Sequence, residues 1–286
     1  MIAWSPGREP GVFVYIGVAM PLPRTLAVLL LAPAALGAQA APFRPGPVVT
    51  DRPDKTESTS IVPRGFAQLE AGWSLETVEA AGTSLHRHTV PGLLARVGVL
   101  GALEARVGFA GLQLTNQGTP GGEEGLGDME LGFKYRLASA RGPLPDVAVI
   151  AAVSVPTGAD GVTSGRVDPT VLLVVSRPLS DRVSVGTNLG SSWTTTDDGR
   201  GGRTTLVDLT YTLSFGVALS DRVGTFAETF GSVPAGDGAP AHHLDGGVTF
   251  LVRDNVQLDL SVGRGIAGGG ASDWFVGAGV SVRVPR

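Results

Sequence analysis

The stretch Gly127 to Leu137, GDMELGFKYRL, decides how the chain is read. Taken alternately, Met129, Leu131, Phe133, Tyr135 and Leu137 fall on one side. Asp128, Glu130, Gly132, Lys134 and Arg136 fall on the other. A period of two with one apolar and one charged face marks a β-strand. In a soluble sheet the apolar face would be buried and the charged face wetted. In a transmembrane barrel the arrangement is inverted, with apolar side chains meeting lipid and polar ones lining the lumen.

Weaker copies of the pattern run through the chain. Phe66–Glu76 sets Ala67, Leu69, Ala71, Trp73 and Leu75 against Gln68, Glu70, Gly72 and Ser74. His88–Val97 places Leu93, Ala95 and Val97 out and Arg96 in, and Leu103–Leu112 places Val107 and Phe109 out and Glu104 and Arg106 in. Strands are expected at 146–155, 170–179, 182–193, 204–219, 223–232, 243–252, 255–264 and 273–284. In the first of these Val147 to Val155 alternates with small or apolar residues, which suggests contact with a buried element. The second is apolar on both sides and leaves its faces open. Together they predict an antiparallel transmembrane β-barrel of about 12 strands, each near the 9–11 residues a tilted spanning strand requires.

The connections agree. Val99–Ala102, Ser180–Asp181, Ser220–Asp221 and Arg253–Asn255 are tight, whereas 113–125, 156–168, 194–203, 233–241 and 265–271 are longer and Gly-rich. Only Ser139–Pro145 is long where a short link is due. Alternating short turns and long loops predict that both termini face the periplasm.

The 286 residues include 42 Gly and no Cys, with a formal net charge of −4. That much Gly argues against helices, whose interiors it destabilises. The charge lacks the basic footprint of a nucleic-acid binder, and the absence of Cys excludes disulfides and thiolate metal sites. Near the N-terminus a basic Met20–Arg24 precedes the apolar run Leu26–Leu36 and the small-x-small triplet Ala38-Gln39-Ala40. This predicts a signal peptide ending at residue 40, with translation starting at Met20, because residues 1–19 fit no part of such a signal. The run is too short to span a bilayer as a helix.

A resemblance rests on scattered motifs: Thr50-Asp-Arg-Pro-Asp54, Thr56-Glu57-Ser58, Gln68-Leu69-Glu70, Gly127-Asp128 with Lys134-Tyr135, Pro178-Leu-Ser-Asp-Arg182, Asn188-Leu-Gly190 and Gly263-Arg264-Gly265. In order and spacing they resemble the phenol-degradation meta-pathway family of outer-membrane barrels, whose members are commonly labelled transporters. The resemblance implies a channel in the outer membrane for small hydrophobic or aromatic compounds. One departure is the ending Val282-Arg-Val-Pro-Arg286, where such barrels usually finish on an aromatic residue.

Glu70, Arg96, Glu104, Arg106, Asp128, Glu130, Lys134 and Arg136 are expected on the lumen face of four consecutive strands. Either they form a polar strip that selects solutes, or they form a structural ion-pair network, since unpaired buried charge is costly. The segment 50–63 carries Asp51, Arg52, Asp54, Lys55 and Glu57. It either folds into the lumen and constricts it or trails as a mobile periplasmic tail, and Pro53 with the dense charge favours the lumen. His86, His88, His242 and His243 lie near predicted strand ends without acidic ligands at metal spacing. No cofactor, metal site or catalytic group is expected. The partners expected are outer-membrane lipid and a small solute, with the barrel a monomer. The main alternative is a non-conducting structural barrel or adhesin, and a second is a barrel-embedded lipid hydrolase, which would need a Ser–His pair near the rim.

Overall fold

The computed structural model describes residues 45–80, 83–116 and 124–286. The expected signal peptide therefore lies outside the described residues. Fourteen β-strands form one antiparallel sheet among those described. They are β1 (Phe66–Ala80), β2 (Thr83–Leu100), β3 (Leu103–Phe109), β4 (Leu112–Asn116), β5 (Glu124–Leu126), β6 (Met129–Ala138) and β7 (Asp146–Val155). The second half holds β8 (Asp168–Pro178), β9 (Val183–Asp197), β10 (Arg203–Ala218), β11 (Val223–Pro234), β12 (Ala241–Arg253), β13 (Val256–Ala267) and β14 (Trp274–Pro285).

β3 and β4 both pair with β2 and lie end to end, broken at Ala110-Gly111. β5 and β6 likewise continue one another. The fourteen strands thus make twelve staves. β1 pairs with β14 from Phe66↔Pro285 to Thr77↔Trp274 as well as with β2, so the sheet closes on itself. Closure removes the unpaired edge that would be untenable in lipid.

Several strands run further than the alternation of apolar residues. β1 and β2 stay paired out to Ala80↔Thr83, and β9 with β10 to Asp197↔Arg203. These extensions are Thr-rich and charged. Hairpin pairing supplies their backbone hydrogen bonds beyond the apolar belt, so no hydrophobic period is needed there.

The outer surface carries exposed Leu69, Val107, Leu131, Phe133, Leu189, Leu209, Phe215, Leu244, Val248, Leu258 and Leu260, distributed over most staves. Leu131 is 46% exposed, while Lys134 on the opposite face of the same strand is 0%. Such a belt has no protein to cover it, and lipid is the solvent that suits it. On β8 the unassigned faces resolve: Val171 and Leu173 point outward, and Val174 is enclosed. Val174 pairs with Ala148 and Leu172 with Ile150, giving a small apolar patch on the lumen side of β7 and β8. That patch is why β7 lacks polar alternation.

Candidate functional site

Residues 48–62 lie within the ring and are tied to inward side chains of most staves. At one end Val48 N donates to Asp254 O at 2.7 Å, and Gln68 Nε2 donates to Val49 O at 2.9 Å. Further on, Gln257 Nε2 donates to Thr50 Oγ1 at 2.7 Å, and Arg52 Nη2 meets Asp259 Oδ1 at 3.1 Å. The Arg52 guanidinium lies flat over Gly72 and Gly279, which face one another across the β1–β14 pair. A Cβ at either position would collide with it. Gly98 plays the same part beneath Val62 and Pro63.

Asp51 is the hub of the densest cluster. Its carboxylate accepts from Lys134 Nζ at 2.7 and 3.0 Å, from Ser58 N at 3.0 Å and from Ser58 Oγ at 2.8 Å. Arg106 Nη1 donates to it at 2.5 Å, and Arg96 Nη1 stands 3.2 Å away. Glu70 accepts from the Asp51 backbone N–H at 3.0 Å and from Arg96 Nη1 at 3.0 Å. Glu104 accepts from Arg96 Nε at 2.8 Å, Arg106 Nη1 at 3.2 Å and Val62 N at 2.8 Å. Glu57 takes both of its bonds from Arg106 Nη2, at 2.9 and 3.1 Å. Three cations and four carboxylates are thereby packed into one network. Arg96, Lys134, Glu70 and Glu104 are each 0% exposed. Charges so enclosed persist only when paired and hydrogen-bonded on nearly every atom.

Three residues of the expected charged face stand apart from this network. Asp128 caps the loop beyond β7, accepting from Thr157 N at 3.0 Å and Gly158 N at 2.8 Å. Arg136 donates to Gly101 O at 2.8 Å, at the turn. Glu130 sits against Gly108 and makes no ion pair among the described residues. The ladder inferred from alternation is therefore shorter than the strands that carry it. Its missing centre is Asp51, which the alternation could not supply because it comes from a segment outside the sheet.

The opposite half of the lumen is built differently. Lys55 N donates to Glu228 Oε2 at 2.7 Å, and the Thr56 hydroxyl bonds both Glu228 and Thr212, the latter at 2.7 Å. Ser214 Oγ donates to Asp54 Oδ2 at 3.2 Å, and Thr59 and Ser176 hydroxyls meet at 2.6 Å. Three of these five bonds end on the carboxylates of Glu228 and Asp54 and two join hydroxyls, and none is an ion pair. On the turn side of the segment a cavity of about 560 Å³ opens among Arg177, Arg182, Ser184, Thr225 and Thr249. On its loop side a second, of about 340 Å³, is lined by residues of β8 to β12 together with Lys55.

The histidines separate into distinct environments. His88 accepts from Trp73 Nε1 at 3.3 Å, and His242 lies 2.8 Å from the Tyr211 hydroxyl. His86 bonds the Thr77 hydroxyl at 2.9 Å. His243 is buried, stacked on Phe230 at 4.7 Å between ring centroids, with Ser272 N donating to its Nε2 at 3.2 Å. No group of three or more His, Asp or Glu side chains is set to hold a metal among the described residues.

The family described as "Putative MetA-pathway of phenol degradation" matches residues 50–284. The chain belongs to that family. The matched region starts at the lumenal segment, so the segment is part of what the family shares with this chain. Among solved structures, an outer-membrane channel of Pseudomonas putida F1 superposes with a TM-score of 0.64 at 14% identity, covering 79% of this chain and 98% of that one. The translocator domain of the autotransporter NalP from Neisseria meningitidis gives 0.54 at 12% identity, covering 79% and 91%. The porin NanC gives 0.51 at 9% identity, covering 76% and 100%. No curated protein matches the chain. At these identities the likeness is one of fold, and the fold is that of outer-membrane barrels.

Proposed function

We propose that the barrel conducts small solutes passively across the outer membrane, with residues 48–62 forming its constriction. The observation that carries this reading is the division of the lumen. The segment is bonded to inward side chains on both halves, yet cavities of about 560 and about 340 Å³ remain on its two sides. A barrel whose interior served only as packing would have side chains filling that space. The described residues include no compact domain large enough to couple transport to an energy source, so diffusion drives the flux. The family description, with its reference to phenol degradation, supports a hydrophobic or aromatic solute. In this reading the barrel is a monomer with both termini periplasmic, and it has no catalytic step.

The eight residues Glu70, Arg96, Glu104, Arg106, Asp128, Glu130, Lys134 and Arg136 then divide by role. Glu70, Arg96, Glu104, Arg106 and Lys134 anchor the constriction through the Asp51 network, Asp128 and Arg136 fasten the ends of β6, and Glu130 stands outside both groups. Single-channel recording in planar bilayers tests the proposal. Discrete openings of the purified full-length barrel are expected, together with swelling of proteoliposomes in small aromatic acids or sugars. A second reading, a non-conducting structural barrel, draws on the same enclosed ion-pair network. It predicts no openings at any voltage and no swelling.

A further inference from the structure

We infer that the 340 Å³ cavity on the loop side of the constriction is a binding subsite for a small aromatic monocarboxylate, with Lys55 as its anion anchor and the Phe230 ring as its platform; this rests on the channel reading above. The cavity spans five consecutive strands. β8 contributes Thr170 and Leu172, β10 Thr210 and Thr212, β11 Phe230 and Ser232, and β12 His243. Register places them as one wall, with Thr210 opposite Ser232, Thr212 opposite Phe230, and Phe230 opposite His243.

Three observations select the ligand. The first is charge. Lys55 is the cation on the cavity wall, and its Nζ makes no ion pair among the described residues. The Glu228 carboxylate accepts from the Lys55 backbone N–H and the Thr56 hydroxyl rather than from the ammonium. The ammonium lies 5.9 Å from the centre of the Phe230 ring, the distance at which a cation still feels an aromatic face. The contrast with Lys134 is direct: that ammonium is fully spent on Asp51.

The second is shape and polarity. Phe230, backed by the stacked His243 ring, presents a flat apolar surface, and Leu172 contributes an aliphatic one. A planar hydrocarbon body suits such a slot better than a sugar, which would need many more paired hydroxyls. The third is an unsatisfied hydroxyl. Thr210 Oγ1 is buried and has no hydrogen-bond partner. A buried hydroxyl calls for a partner, and a carboxylate oxygen supplies one while its other oxygen faces Lys55. The volume lies at the low end for small-molecule sites, fitting one ring with a single acidic group.

Calorimetric titration of the full-length barrel in detergent tests the subsite without reference to conduction. Benzoate, benzyl alcohol and cyclohexanecarboxylate are the probes. Benzoate is expected to bind saturably and more tightly than either analogue. Lys55→Met is expected to weaken benzoate by roughly tenfold or more, the scale of one charge-assisted hydrogen bond, while leaving benzyl alcohol unchanged. Lys55→Arg is expected to restore most of the loss. Leu172→Trp, which fills the slot, is expected to abolish binding of all three. No benzoate binding by the parent barrel, equal benzoate affinity in the parent and Lys55→Met, or binding unaffected by Leu172→Trp would each overturn the proposal. Because these readouts need no open pore, a barrel that binds benzoate yet never conducts would sink the channel reading and keep the subsite.

Discussion

The two halves of the lumen hold the same segment by different means. Towards β1, β2, β3 and β6 the segment meets Arg96, Arg106 and Lys134 through Asp51 and Glu57, and apart from the partly exposed Glu57 the network is buried. Towards β8 to β12 it meets hydroxyls and Glu228, and a cavity remains. Removing one partner of a buried ion pair is costly because the other charge stays enclosed. Losing a neutral hydrogen bond costs far less. In the proposed function the charged half is the anchor that resists rearrangement, and the hydroxyl half, which keeps a cavity beside the segment, is the side for a solute.

The largest expected effect breaks the anchor. Asp51→Asn keeps the shape but removes the carboxylate on which Lys134, Arg106 and Arg96 converge, leaving the buried Lys134 with carboxylates no nearer than 3.7 Å, a loss of roughly 3–5 kcal/mol. On the other half, Thr56→Ala removes hydrogen bonds to Glu228 and Thr212 and is expected to cost only about 1–2 kcal/mol. Unfolding of both variants in urea, read by gel mobility of the unheated barrel, checks the difference. Equal destabilisation would erase the distinction between the halves.

Next comes the outer face that both halves share. Leu131→Arg or Leu209→Arg puts a charge on the lipid side and is expected to cost roughly 2–4 kcal/mol in folding into bilayers. Asp208→Asn, one residue from Leu209 on the same strand, is expected to be mild. A reversed order would mean that the faces of β10 are assigned the wrong way round.

Both faces were legible in the sequence because the pleat forces a period of two, and Met129 to Leu137 displays it without interruption. Twelve staves were legible too, from the rhythm of turns and loops. The segment carrying Asp51 was legible as a candidate for the lumen from its charge and Pro53, but its pairing with the strand cations was not. Asp51 reaches Lys134 across 83 residues of sequence, from a segment without regular structure, so no periodicity points to the pairing. The charged face of β6 joins the network only in part: Asp128 and Arg136 sit at its ends, where loops and turns take up their bonds. His243 sits near the start of β12, yet it is enclosed against Phe230, a cross-strand partner that spacing alone does not reveal.

A pair of changes on the two halves sharpens the comparison. Arg96→Gln combined with Arg106→Gln strands Glu70, Glu104 and Glu57. The expected outcome is lost heat resistance, with ion selectivity set by whatever remains of the constriction. Lys55→Gln, by contrast, is expected to leave stability within about 0.5 kcal/mol, as for other changes away from a bonded network. It is expected to move reversal potentials under a salt gradient towards cation preference, because it removes a positive charge that lines the cavity. A selectivity change in the Arg pair without loss of stability would place the passage on the charged half.

The most direct test is single-channel conductance of Leu172→Trp measured beside the parent barrel and Gly92→Ala. Leu172 borders the cavity on the hydroxyl half, whereas Gly92 lies on β2 in the charged half, where an added Cβ would meet nothing nearer than 3.9 Å. The account predicts clear openings in the parent, a severalfold drop in conductance for Leu172→Trp, and near-parental openings for Gly92→Ala. Parental conductance in Leu172→Trp, or a parent barrel that never opens, would contradict it.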